Sequence, residues 1–238
     1  MKRLSGILCL LLFALSLSGQ RNSDYGIMGG VTSYMGDINP NRLLYSPGLA
    51  GGIFYRYNFH PRQALRLSLL RGGIKANDLD FNNDFQLKRQ GNFSGSVTEA
   101  ALQFEFNFLP YSTTGKLWNF SPYFAAGIGG TFVHSSGSSI TGGLLTNSSG
   151  YALVPVIPFS VGFKINIHKN VGLEAEYGFR KTFYDNFDRL KDFVAPSDYA
   201  WTHNNDWYSF TGVAVTWKFY SKLAGCPAYN DVDNKRKR

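Results

Sequence analysis

Beyond its first 19 residues, this 238-residue chain has no long hydrophobic run. A membrane-spanning helix needs about 18 or more consecutive apolar residues, so helical spans are excluded for that part of the chain. Cysteine is also scarce, because Cys9 and Cys226 are the only two. That excludes a disulfide framework, and neither the cysteines nor the four histidines have zinc-site spacing. We therefore expect no metal and no cofactor.

The start of the chain has the three regions of a secretory signal peptide. A basic pair, Lys2 and Arg3, precedes an apolar stretch over residues 7–17, and small residues follow it. We predict a signal peptide over residues 1–19. A lipoprotein anchor at Cys9 is disfavoured, because this cysteine lies within the apolar stretch and lacks the small residues that should precede it.

Alternating apolar and polar residues recur through the rest of the chain. Between Val171 and Arg180, the odd-numbered positions are apolar and the even-numbered ones are Gly, Glu or Arg. Side chains on a strand point to opposite faces with a period of two, so this strand has one apolar and one charged face. Eight such strands are predicted, over Tyr25–Tyr34, Gly48–Phe59, Gln63–Ile74, Val97–Leu109, Phe120–Val133, Pro158–Ile167, Val171–Phe183 and Trp207–Tyr220.

The connections between these strands alternate between long and short. The long ones, rich in Gly, Ser, Asn and Asp, are Met35–Pro47, Lys75–Ser96, His134–Val154 and Tyr184–Asp206. In outer-membrane barrels the long loops are extracellular and the short turns periplasmic. The pattern therefore predicts an all-β fold, an eight-stranded antiparallel transmembrane β-barrel of the outer-membrane type over residues 20–220. An even strand count places both termini in the periplasm.

Two prolines complicate the sixth predicted strand. Pro155 and Pro158 lie where it should begin, and proline cannot donate to a strand ladder. We therefore expect this strand to begin late or to contain a bulge.

The polar faces of the predicted strands place charges of both signs inside the barrel. An interior of about eight strands is only wide enough to be filled by side chains. The near balance of acids and bases predicts that these charges pair with one another. The predicted interior network is Arg56, Arg66, Glu99, Glu105, Lys164, Glu174, Glu176, Arg180 and Lys218.

Two catalytic arrangements compete with this structural interpretation. Glu174 and Glu176 share one face about 7 Å apart, a separation that could suit hydrolysis. His134 or His203 could form a triad with Asp206 and a serine, but the sequence has no G-x-S-x-G nucleophile motif. We favour ion pairing for the two glutamates and solvation for the loop residues, and we predict that the protein is not an enzyme.

One acidic segment partly matches a calcium-binding loop. Asp78, Asp80, Asn82 and Asp84 occupy alternate positions, as the first calcium ligands do. The required glycine is absent, and Arg89 stands where the bidentate glutamate should be. We therefore predict a solvated acidic loop, with divalent ions bridging lipopolysaccharide to it as the alternative.

The end of the chain has a lone cysteine and a basic tail. After removal of the leader, Cys226 is unpaired in a compartment where thiols are oxidised. It follows the last strand on the periplasmic side, so we predict an intermolecular disulfide to a periplasmic partner. The tail over residues 221–238 ends in four basic residues. In an exported chain these favour an acidic partner or a lipid headgroup over nucleic acid.

Several segments also show a family resemblance. They are Gly30–Asn39, Pro122–Gly129, Gly172–Asp185, Asp206–Gly212 and Gly225–Pro227. Together they resemble the PorG-like outer-membrane β-barrel family of the type IX (Por) secretion system of Bacteroidota.

The resemblance implies a non-catalytic role in the outer membrane. Proteins of this family hold a periplasmic ring, built of a lipoprotein and a companion protein, against that membrane during protein transport and gliding motility. The implied partners are these two ring proteins and outer-membrane lipid, including lipopolysaccharide, with no nucleic acid. A barrel enzyme, either a hydrolase or an acyltransferase, and a small passive pore are the alternatives.

Overall fold

The computed structural model describes residues 22–39, 42–81, 83–111, 119–141, 143–168, 170–184, 187–190, 193–195, 198–199 and 206–220. Three predictions lie outside these residues: the signal peptide over residues 1–19, the basic tail over residues 221–238, and the disulfide at Cys226.

Long antiparallel strands close into a ring. In chain order, the strands of the described residues are β1 (Asn22–Met35), β2 (Gly48–His60), β3 (Gln63–Asn77), β4 (Asn92–Asn107), β5 (Phe120–Thr141), β6 (Leu144–His168), β7 (Val171–Thr182), β8 (Phe193–Ala195), β9 (Asp198–Tyr199) and β10 (Trp207–Tyr220). Strands β1 to β7 and β10 form a closed barrel, in which β10 pairs with β1, while β8 and β9 form a separate hairpin. The predicted eight-stranded antiparallel barrel is confirmed.

The outer surface of the barrel wall is apolar. On β2, Ile53, Tyr55 and Tyr57 are exposed, whereas Phe54 and Arg56 between them are buried. The same alternation continues on β3, β4, β6 and β10. A soluble sandwich would turn its apolar face inward, so this sidedness is that of a transmembrane barrel of the outer-membrane type.

The apolar surface has the height of a bilayer core. The outward row on β2 runs from Leu49 to Phe59. At a rise of about 3.3 Å per residue and a tilt of about 40°, it covers roughly 25 Å along the barrel axis, like the apolar band of outer-membrane barrels. Aromatic rings lie at both ends: Tyr25 contacts Tyr55 near the short turns, and Trp207 contacts Phe159 near the long loops.

The connection between β5 and β6 is not the long loop that we predicted. Residues 134–141 and 144–154 instead extend both strands into a hairpin, in which Thr141 pairs with Leu144. Serine and glycine dominate these residues, so the apolar alternation that marks a strand is weak. One face of the extension is buried, since Ser135 and Ser139 are almost fully covered and Gly137 packs against Asp188 and Leu190.

The prediction that Pro155 and Pro158 delay the sixth strand or cause a bulge there is also wrong. Strand β6 begins at Leu144, and its register with β5 is the same before and after both prolines. Pro155 precedes the first residue of β6 that pairs with β7, so at Pro155 the strand has only one paired neighbour. At Pro158 the ladder to β5 is interrupted, but pairing with Arg180 of β7 continues.

A short helical segment connects β3 to β4. A 3-10 turn (Asp78–Asp80) precedes helix α1 (Asp84–Arg89), which is capped by the Asn83 side chain. At the other end, Gln90 adopts a left-handed conformation that ends the helix. In the described part of the chain, no helix is long and apolar enough to cross a membrane.

Candidate functional site

The barrel interior contains a charge layer and an apolar layer. All nine residues of the predicted network face the interior, together with Asp24, so five basic and five acidic side chains share it. We call these ten residues the charge layer. Nearer the long loops, apolar side chains fill the lumen, and we call them the loop-side core. Its strand residues include Tyr34, Ile74, Val97, Val133 and Val156.

Arg56 is the centre of the charge layer. Its Nη1 and Nη2 atoms each lie 2.6 Å from an oxygen of Glu174, which is a bidentate pair. Its Nε lies 2.7 Å from Oε2 of Glu105, and Nη1 lies 3.3 Å from Oδ2 of Asp24. The guanidinium also lies over the ring of Phe54, 4.9 Å from the centroid. Three carboxylates thus surround one fully buried cation.

Glu105 links three cations from three strands. Besides Arg56, it contacts Nε of Arg66 at 3.2 Å and Nζ of Lys164 at 2.5 Å. Lys164 also donates to Oδ1 of Asn107 at 3.1 Å. A buried carboxylate is stable only when it is paired and hydrogen-bonded, and Glu105 meets that condition through three partners.

Arg66 and Glu176 form a second bidentate pair. Nη1 of Arg66 lies 2.5 Å from Oε2 of Glu176, and Nη2 lies 3.2 Å from Oε1. Tyr123 donates a hydrogen bond to Oε2 of the same glutamate at 2.8 Å, and Arg66 also donates to Gln103 at 2.8 Å. Neither oxygen of Glu176 is therefore left without a donor.

The pair of Glu99 and Arg180 lies at the boundary with the loop-side core. Nε of Arg180 lies 3.3 Å from Oε2 of Glu99, and its Nη2 lies 3.7 Å from Glu176. The hydroxyl of Tyr208 donates to the same oxygen of Glu99 and shares a 2.7 Å hydrogen bond with Thr131. A neutral hydroxyl pair thus separates the charges from the apolar side chains above.

Lys218 is buried near the short turns, but its hydrogen bonds go to neutral groups. Its Nζ donates to the hydroxyl of Tyr111 at 2.7 Å and to Oδ1 of Asn166. Tyr111 comes from the connection between β4 and β5, where its backbone N–H donates to the carbonyl of Pro61 at 3.1 Å. Its buried ring fills the barrel mouth at this end. Tyr111 was not predicted in this role, because a lone tyrosine in a turn does not indicate that it plugs a lumen.

The glutamate pair has no room for a substrate. Glu174 and Glu176, together with Arg66 and Tyr123, line an interior cavity of only about 10 Å³. That space holds one water molecule at most. Because each glutamate is also held by its own arginine, the arrangement favours a structural ion-pair network over paired-carboxylate hydrolysis.

The long-loop end of the lumen is closed by folded loop segments, which we call the loop cap: residues 36–39, 78–91 apart from residue 82, and 187–190. Ile38 and Phe187 from these segments are fully buried in the loop-side core. Nε2 of Gln86 donates to the carbonyl of Ile38 at 2.8 Å, which joins two of the segments. These contacts close the lumen opposite Tyr111.

Asp206 attaches the third cap segment to the barrel. Its carboxyl group accepts a hydrogen bond from the Tyr34 hydroxyl and, at 2.8 Å, from the backbone N–H of Phe187. Asp206 lies in the loop before β10, where burial and the neighbouring Asp188 raise its pKa well above the ordinary carboxyl range. The closed cap therefore stabilises the neutral form of this carboxyl group relative to the same group in water.

The acidic segment is held together by protein partners. Oδ2 and Oδ1 of Asp78 accept from Arg89 at 2.7 and 2.8 Å, and the N–H of Gly91 donates to Oδ2 at 2.7 Å. Arg89 stands where a calcium loop has its bidentate glutamate. It is instead the counter-ion of Asp78, which holds the position of the first calcium ligand. Asp80 accepts from the Tyr45 hydroxyl at 2.5 Å, and partial burial together with this bond raises the pKa of Tyr45 to about 12.

Among the described residues, the rest of the acidic segment does not form a metal site either. Asp84 is exposed in the first turn of α1, and Asn82 lies outside the described residues. Throughout the part of the chain that the structure describes, no cluster of three or more His, Cys, Asp or Glu side chains has the geometry of a metal site. The prediction that the whole segment is solvated is wrong for Asp78, which is fully buried.

The proposed triad residues are not assembled. His134 points outward from β5 and stacks on Tyr151, with ring centroids 4.5 Å apart. Asp206 instead lies buried beneath the loop cap, and His203 lies outside the described residues.

Comparisons with known proteins concern mainly the fold. Three similar solved structures are Ail of Yersinia pestis (14% identity, TM-score 0.47, 84% of this chain and 100% of that chain), Neisserial surface protein A (13%, 0.43, 85% and 100%) and a major outer membrane protein from Thermus thermophilus (13%, 0.47, 83% and 99%). No curated protein matches the chain significantly. A profile described as "Domain of unknown function (DUF6089)" matches residues 1–228, and the chain therefore belongs to the DUF6089 family.

Proposed function

We propose that this protein is a non-catalytic outer-membrane barrel that anchors a periplasmic ring complex of a type IX-like protein secretion machine. The observation behind this proposal is the filled lumen. The side chains of the charge layer, the loop-side core, Tyr111 and the loop cap fill the described interior, and the cavity beside Glu174 and Glu176 holds only about 10 Å³. A barrel of this kind acts through its surfaces and its chain ends.

The location in the outer membrane is supported by the sidedness of the wall. A ring of exposed aliphatic and aromatic side chains surrounds a lumen of paired charges. Transferring that ring into lipid removes apolar area from water, which is favourable by about 25 cal/mol per Å². The buried charges stay neutralised by each other, so none of them faces the hydrocarbon.

The orientation follows from where the two ends of the barrel chain lie. Asn22 at the start of β1 pairs with Tyr220 at the end of β10, so both ends leave the wall beside the short turns. Short turns are periplasmic in outer-membrane barrels. The tail with Cys226 is therefore proposed to lie in the periplasm, within reach of a ring complex.

The ring partners come from the family resemblance of the sequence. A ring lipoprotein and its companion protein are the proposed partners, and Cys226 is the proposed covalent contact. A basic tail of residues 221–238 adds an electrostatic contact to an acidic surface.

Cross-linking and co-purification from native membranes test the proposal. The full-length protein should retain the ring lipoprotein and the companion protein, and a variant truncated after residue 220 should lose them. The truncated barrel must still insert, which heat-dependent mobility on a gel verifies. If the ring proteins separate from the full-length barrel even after cross-linking, the anchoring role is wrong.

A further inference from the structure

An apolar groove crosses the outer surface of the barrel. It has a volume of about 570 Å³ and extends over β1, β2, β3, the edge of β4 and the end of β10. Its walls include Ile27, Ile53, Tyr55, Leu67, Leu69 and Trp217. We call it the outer groove. It lies within the apolar band, so its natural occupant is a hydrocarbon chain.

The groove stays open toward the long loops because two side chains are missing. Gly29 pairs with Gly51, which pairs with Arg71, in the row directly beyond Ile27, Ile53 and Leu69. A Cβ atom on Gly29 would meet no atom within 4 Å, and one on Gly51 would meet only a backbone oxygen at 3.7 Å. The floor of the groove thus continues without obstruction to the Arg71 side chain.

Two cations stand at this end of the groove. Arg71 and Lys75 point outward from β3 and are exposed. Arg71 donates a 3.3 Å hydrogen bond to Thr98, and within the described part of the chain neither cation has a carboxylate partner. A cation above an apolar surface at the edge of a bilayer attracts an anionic lipid headgroup.

We propose that the outer groove binds lipid A, the phosphorylated and acylated anchor of lipopolysaccharide. The acyl chains occupy the groove, and the phosphates pair with Arg71 and Lys75. These cations are four positions apart on one strand face, about 13 Å at a rise of about 3.3 Å per residue. That separation fits a headgroup with two distant phosphates better than the single phosphate of a glycerophospholipid.

The neighbouring surface suits the sugar part of the same headgroup. Ser94, Ser96 and Thr98 on β4 are paired with β3 beside the two cations, and Ser136 continues this row on β5. Hydroxyl groups supply both donors and acceptors, as sugar recognition needs. The site rests on the proposed orientation, in which this end is extracellular, but it does not depend on the anchoring role.

Native mass spectrometry of the purified full-length protein tests the site with three lipids: diphosphoryl lipid A, monophosphoryl lipid A and phosphatidylethanolamine. We expect wild type to bind one diphosphoryl lipid A, and to bind the other two about tenfold more weakly, since a lost charge-assisted contact is worth about that factor. The Arg71→Ala/Lys75→Ala variant should bind diphosphoryl and monophosphoryl lipid A with similar affinity. Gly51→Phe fills the groove floor and should weaken all three lipids.

Matched controls place the same changes elsewhere on the outer surface. Lys181→Ala removes a cation that lies over Trp207, and Ala175→Phe adds a ring to an exposed position on β7. Both should bind lipid A like wild type. Equal affinity of wild type for all three lipids, or equal losses in the groove variants and their controls, would overturn the site. Either result would leave the anchoring role untouched.

Discussion

Arg66 on β3 and Glu176 on β7 connect opposite sides of the barrel through a contact of 2.5 Å. Three wall strands separate β3 from β7 in either direction around the ring. The pair therefore acts as a brace across the lumen, whereas the strand ladders connect only neighbours. Arg56 and Glu174, and Arg180 and Glu99, form similar contacts between non-adjacent strands.

Loss of this brace should destabilise the barrel strongly. Arg66→Ala leaves the Glu176 carboxylate buried without its main counter-ion, a change that costs about 3–5 kcal/mol in buried pairs. The urea midpoint of the refolded barrel in detergent, followed by tryptophan fluorescence, should fall accordingly. Arg66→Met combined with Glu176→Met should recover much of the loss, because both charges are then absent.

Arg62→Ala is the matched control for this experiment. Arg62 is exposed in the turn between β2 and β3, so its removal should leave the midpoint unchanged. Equal midpoints for Arg66→Ala and Arg62→Ala would refute the bracing role.

The purified protein should not conduct ions. The interior cavity beside Arg66, Glu174 and Glu176 holds about 10 Å³, too little for a continuous column of water. In planar bilayers we expect no steady channel, with a general porin as the positive control. Reproducible ohmic steps from the folded protein would instead support the passive pore.

The loop cap should open when the ion pair of Asp78 and Arg89 is broken. Arg89→Ala leaves Asp78 buried and removes two charge-assisted hydrogen bonds. Hydrogen exchange at the Gly91 amide, which donates to Asp78, should accelerate by about tenfold or more. Amides of β6 and β7 should be unaffected. Asp84→Asn, an exposed change in the same helix, is the control, and similar exchange in both variants would contradict the prediction.

The cap should also loosen as the pH rises, through ionisation of Asp206. Its folded-state pKa is raised, so its contribution to stability is present at acidic pH and is lost as the pH rises through that value. Exchange at the Phe187 amide, corrected for its intrinsic pH dependence, should therefore speed up as the pH rises through the raised pKa of Asp206. Asp206→Asn keeps a neutral partner for Tyr34 and should remove this dependence. Identical pH profiles for the two proteins would rule the mechanism out.

Cys226 offers a direct test of the periplasmic contact. Wild type extracted without reductant should show a higher-mass band that dithiothreitol removes, because the lone thiol is joined to a partner. Cys226→Ser should lack this band but insert normally. If wild type shows no such band, the intermolecular disulfide does not exist.

The sequence by itself determined the eight wall strands, their sidedness and nine of the ten residues of the charge layer, but not the full length of β5 and β6. Each depends on alternation along a single strand, which is a local property of the chain. Val171 to Arg180 illustrates this, since its period of two alone predicts that Glu174 and Glu176 face the lumen and Leu173 faces lipid. Where alternation fades, as in the Ser-rich extension of β5, the strand end could not be found.

Only the tertiary structure decided which charges pair, what closes the lumen and where a groove forms. The contact of Arg66 with Glu176 depends on ring closure and on the stagger between strands, which no single strand encodes. Tyr111 and Phe187 enter the lumen from connections whose local sequence is that of a turn or a loop. The outer groove combines residues of five strands. The register between strands places Gly29, Gly51 and Arg71 in one row at its end, and no single strand predicts that row.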